Sequence, residues 1–155
     1  MVVFQILLFA VFASITVRDV RTRLIHIGDL LLPCAIRIAL LVASLTLALD
    51  IDAAQWGANA LLESLLLAVA LAGTFYLLSK LVFKITNSPA LGKGDILLLA
   101  TCCLFINPQS IGAYLFLVAI FGIALSLVWL ITKKDKTFPF APALVWPCWL
   151  VMFMF

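Results

Sequence analysis

The sequence predicts an all-α polytopic membrane protein, a bundle of six transmembrane helices with both termini outside. Three observations carry that expectation. Of the 155 residues, 66% are hydrophobic and 11% charged, more apolar surface than a soluble domain of this size has interior to hide. Apolar runs recur six times, at about 2–17, 27–49, 57–79, 95–106, 109–131 and 140–155. The connections between them alternate in charge. Those around 18–26, 80–94 and 132–139 hold Arg18, Arg21, Arg23, Lys80, Lys84, Lys93, Lys133, Lys134 and Lys136, whereas those around 50–56 and 107–108 hold no Lys or Arg. The positive-inside bias puts the three basic connections in the cytoplasm. The length suits one compact unit, 1–155, without an additional soluble domain.

The runs are justified in turn by a bilayer core of roughly 30 Å, which takes about 20 apolar residues per helix. The first run has no basic residues before it and three arginines after it, so it reads as a retained helix rather than a secretory signal. The second opens on Asp29 and carries Arg37 at depth. An unpaired charge there costs at least ~2.5 kcal/mol, so a carboxylate partner or a reach to the interface is expected. The third bears Glu63 near its outer end. The fourth, Asp95 to Ile106, spans only about 18 Å before Asn107-Pro108 interrupts it. Either the bilayer thins there or one end lies below the surface. Trp56 and Trp129 fall near predicted helix ends, as interfacial anchors do.

Several function classes are disfavoured. The basic residues form short clusters and no extended stripe, which argues against a nucleic-acid partner. Cys34, Cys102, Cys103 and Cys148 all lie in apolar runs with no C-x-x-C pair, and read as small packing residues. With His26 the only histidine, no metal site is expected. His26 itself reads as a juxtamembrane interface residue.

The informative charges are acidic. The topology brings Asp19, at the end of the first run, and Asp95, at the start of the fourth, to the cytoplasmic edge. Carboxylates beside lipid are costly and usually functional. If the first and fourth helices are neighbours, the two carboxyls meet. One, ionised, then takes a proton from water while the other, protonated, polarises a carbonyl. Such a pair titrates as a unit. Gly92 and Gly94 flank Lys93 just before Asp95, where glycine's freedom at positive φ and its missing side chain let a substrate strand lie against the turn. Asp29 is the rival to Asp19. Glu63 lies on the wrong side, and Asp50 and Asp52 read as solvated outer-loop residues.

Asp19-x-Arg21-x-x-x-Ile25, then Gly92-Lys93-Gly94-Asp95, then Phe138-Pro139-Phe140-Ala141-Pro142 resemble the three signature regions of the type IV prepilin peptidases. These are membrane aspartyl peptidases of the G-x-G-D type. The resemblance spans nearly the whole chain in the expected order. It implies that Asp19 and Asp95 are the catalytic pair and that Gly92, Lys93, Gly94, Phe140 and Pro142 position the substrate. It also implies cleavage of a basic leader from a pilin-like precursor at the inner face of the cytoplasmic membrane, without metal or cofactor. Three departures stand out. Ile25-His26-Ile27 replaces the usual Ile-Pro-Asn, Ala141 replaces a glycine, and the cysteine-rich cytoplasmic domain associated with N-methylation has no counterpart. A small, peptidase-only member is therefore expected, as in Flp/Tad-type or archaeal systems. The competing classes are a non-enzymatic ion or proton conductor and a secretion-assembly subunit. The split of acidic residues between the two faces argues against conduction.

Overall fold

The computed structural model describes residues 2–46, 58–87, 91–132 and 139–154. They form six α-helices: α1 (Val2–Thr22), α2 (Ile27–Thr46), α3 (Ala58–Thr86), α4 (Lys93–Cys103), α5 (Ile111–Thr132) and α6 (Ala141–Met154). A single 3-10 turn, Pro108–Ser110, leads into α5. No strand occurs among the described residues.

Each apolar run of the sequence therefore houses one helix, but the ends differ. α1 continues through Arg18 to Thr22, and α3 runs past Lys80 and Lys84 to Thr86. Hydropathy stops at those charges, whereas long basic side chains are good helix formers. Left-handed residues end both helices: Arg23 at φ 55° and Asn87 at φ 52°. Their N–H groups close on the carbonyls of Asp19 and Phe83 at 2.8 and 2.9 Å, satisfying terminal acceptors that would otherwise lack a partner.

Three segments are long and apolar enough to cross a membrane: Val3–Thr22, Ala58–Thr86 and Pro108–Thr132. Their outward faces carry large apolar side chains, including Val69 and Leu77 on α3 and Phe116, Leu130 and Ile131 on α5. Contiguous apolar exposure of this extent suits lipid and not water. α2 is 20 residues long and contains Pro33 and the buried Arg37.

The fourth segment is no span. α4 has 11 residues and α6 has 14, about 16 and 21 Å at 1.5 Å per residue, short of a roughly 30 Å core. These short helices form the centre of the bundle. Leu98, Leu99, Cys102 and Cys103 of α4, with Ala141, Leu144, Val145 and Cys148 of α6, are at most 2% exposed. Leu8, Phe12 and Ile15 of α1 join the same core. α6 packs on α1, α4 and α5, and α4 packs on α2, α3 and α6. The first and fourth helices are thus joined through the sixth, which contacts both.

Two contacts set the depth of the short helices. Ser79 Oγ donates to the Leu91 carbonyl at 3.3 Å, so the turn before α4 sits at Ser79, while α3 continues to Thr86, roughly 10 Å farther. A Cβ at Gly122 would lie 3.3 Å from the Phe140 ring, so α6 starts near Gly122, while α5 continues to Thr132. The N-termini of α4 and α6 are therefore recessed below the C-terminal ends of α3 and α5. At the other end, Arg37 Nε donates to the Leu104 carbonyl at 2.9 Å, where Leu104 caps α4. Arg37 thus engages a helix C-terminus, whose exposed carbonyls favour a cation.

Candidate active site

Asp19 lies in the last turn of α1 and is 5% exposed. Its Oδ2 accepts the Ala141 backbone N–H at 2.9 Å. The sequence around Ala141 explains why this donor is free. Ala141 opens α6, and Pro142 follows it at the second helical position with no N–H to offer. The next donor, Ala143 N–H, is spent on the Phe140 carbonyl at 2.9 Å. One donor remains at this helix start, and a carboxylate takes it, as the partial positive charge there favours.

Asp95 is built the same way at the start of α4. Gly92 is the N-cap, in extended backbone at φ −68° and ψ 148°, and Asp95 is the third helical residue. Its carboxylate folds back and is stabilised by the Gly92 N–H, half of a capping box. A Cβ on Gly92 would lie 2.9 Å from Asp95 Oδ2, and one on Gly94 would lie 3.1 Å from the Ile25 Cβ. The expectation that these glycines supply positive φ is corrected here, since no described glycine has positive φ. They are small because space is needed. Gly92 makes room for a carboxylate, and Gly94 lets α4 press against the connection between α1 and α2.

The two helix starts thus hold two carboxylates in one recess. Asp95 is partly buried and feels the charge of Asp19. α4 is too short to span a bilayer core, and at its head burial first, then Asp19, push the Asp95 carboxyl up to about 6 against the opposing pull of the Gly92 N–H. A purely structural cap needs one carboxylate at one helix start. Here there are two within electrostatic reach, and the charge of Asp19 raises the proton affinity of Asp95.

The other residues singled out in the sequence fall as follows. Lys93 is exposed and lines a groove on the far side of α4. Phe140 is partly buried beside Gly122, and Pro142 is buried. The contacts described for both lie within the protein, where they shape the start of α6. Asp29 caps α2, accepting the His26 backbone N–H at 3.0 Å and Arg18 Nη1 at 2.8 Å. Glu63 borders a small cavity with Arg37, Ser64 and Asn107, at the opposite end of α4 from Asp95. Arg23 stacks on Trp129, 5.6 Å from the ring centre. Cys34, Cys102, Cys103 and Cys148 are free thiols, the last three buried. Asp50, Asp52, Trp56, Phe138 and Lys133, Lys134 and Lys136 lie outside the described residues.

Ala141 is the site component that residue-type reasoning misses, because a backbone N–H has no side-chain signature. The available signal was the proline after it, which removes the neighbouring donor. No family model, curated protein or solved structure matches the chain.

Proposed function

We propose that this protein is a membrane-embedded aspartyl endopeptidase of the type IV prepilin peptidase kind. In this reading it sits in the cytoplasmic membrane with six helices in the lipid-embedded bundle and both termini outside. Its substrate is a pilin-like precursor with a basic leader followed by an apolar helix. Asp19 and Asp95 activate water and polarise the scissile carbonyl, with no covalent intermediate and no metal. The observation that carries the reading is the convergence of these carboxylates, each held by a helix-start N–H, in a recess on the basic face. Gly92, Gly94, Phe140 and Pro142 contribute by fixing the two helix starts.

The conducting alternative is less well supported. Between the carboxylate pair and Glu63, α4 presents Leu98, Leu99, Cys102 and Cys103 to the core, and the described residues show no file of polar side chains there. The test is co-expression with small pilin-like precursors, reading leader removal as a size shift. Processing is expected with the wild-type chain and absent with Asp19→Asn or Asp95→Asn at normal protein levels. Full processing by either variant overturns the assignment.

A further inference from the structure

A groove of about 730 Å³ runs between α2, α3 and α4. Along α4 it is lined from Lys93 to Leu104, and along α3 from Tyr76 to Leu65. Both stretches rise about 16 Å, half the thickness of a roughly 30 Å hydrocarbon core. Ala68, Ala72 and Gly73 form its floor on α3. At its deep end, Leu104 is fastened to Arg37. The groove is one leaflet deep, so a second helix crossing the whole membrane would outrun it.

Its mouth is cationic. Lys93 lines that end beside Tyr76, and Lys80 Nζ sits 4.8 Å from the Tyr76 ring centre. The bond from Ser79 to Leu91 holds the turn carrying Lys93 against this part of α3. Among the described residues, no Asp or Glu lines the groove. Asp95, two positions from Lys93, points about 200° around α4 at 3.6 residues per turn, and Asp29 is engaged with Arg18 and His26. Two ammonium groups and a phenol over a small-floored apolar slot match an acidic headgroup with a hydrocarbon tail.

We infer that this groove binds one anionic phospholipid from the leaflet on the basic side. Lys80 and Lys93 hold the phosphate, and an acyl chain runs along Ala68, Ala72 and Gly73. The site stands apart from the carboxylate pair, and its test does not depend on peptidase activity. The full chain, purified in mild detergent, is offered phosphatidylglycerol and phosphatidylcholine at equal concentration, and retained lipid is read by native mass spectrometry.

One phosphatidylglycerol per chain is expected to persist under activation that strips phosphatidylcholine. Glycerol phosphate, the headgroup without chains, is expected not to displace it. Lys80→Gln, at an exposed position that leaves the packing intact, should lower phosphatidylglycerol retention at least fivefold. Ala72→Trp should abolish it by filling the slot. Equal retention of both lipids, or unchanged retention in Lys80→Gln, overturns the proposal. So does a photo-crosslinker at Gly73 that captures a co-expressed precursor in place of lipid.

Discussion

Replacing Ala141 with proline deletes the hydrogen bond to Asp19 and puts a ring carbon in the place of the amide hydrogen. Proline is favoured at the first position of a helix, where its fixed φ is already suitable. Phe140 before it is outside the helix, so the restriction that proline places on its predecessor is tolerated. What disappears is the N–H donated to Asp19 Oδ2 at 2.9 Å. A hydrogen bond to a charged group contributes about 1.5–3 kcal/mol. If that stabilisation is expressed in the transition state, leader removal slows roughly 10- to 100-fold, at about 1.4 kcal/mol per decade. The ring Cδ occupies the place of the lost hydrogen and presses on the carboxylate, so the loss should sit at the upper end. Ala141→Gly keeps the donor and should process within a few-fold of wild type. The assay is a time course of precursor processing in membranes, with each variant's abundance measured alongside. Wild-type rates in Ala141→Pro, or equal impairment in Ala141→Gly, would refute the role given to this bond.

Three further outcomes follow from the site. Gly92→Ala places a methyl 2.9 Å from Asp95 Oδ2, closer than real contacts allow, and should cut processing at least tenfold while the chain still accumulates; undiminished processing would count against the packing argument. Asp95 has a folded-state value of about 6 against an ordinary 3.8, so the native state keeps this proton longer than the unfolded chain. Its ionisation therefore weakens the fold as pH rises from about 4 to 6. Asp95→Asn should raise the melting temperature in detergent above pH 6 and leave it unchanged near pH 4; a gain confined to acid pH would reverse the sign and reject the electrostatics. Asp29→Asn disturbs only a helix cap and a pair with the half-exposed Arg18, together about 1 kcal/mol. It should process normally, and a dead Asp29→Asn enzyme with normal abundance would move the catalytic assignment to Asp29.

The sequence made the helices legible because burial and charge are written in residue type. Each of the six apolar runs became a helix, and the brevity of the segment after Asp95 already signalled either a thinned bilayer or an end below the surface. The limits of α1 and α3 were harder to place, since arginine and lysine end an apolar run without ending a helix. Pro33 and Pro147 were likewise no guide to helix ends, because both are accommodated inside α2 and α6. The site was half legible. Asp19 and Asp95 stood out as acids in an apolar chain, but periodicity does not say which helices touch, and α6 proved to be the element joining them. Arg37 was visible as an anomaly, yet the Leu104 carbonyl it bonds to belongs to the backbone. The same holds for Ala141, whose contribution is an amide hydrogen that every non-proline residue carries.

Leader removal measured across Asp19→Asn, Asp95→Asn and the double variant tests the shared-proton pair most directly. Groups that work as one unit lose their function together, so each single change should abolish processing and the double change should add nothing further. Multiplicative losses, or residual cleavage by either single variant well above the double, would mean that these carboxylates act separately and that the chemistry lies elsewhere.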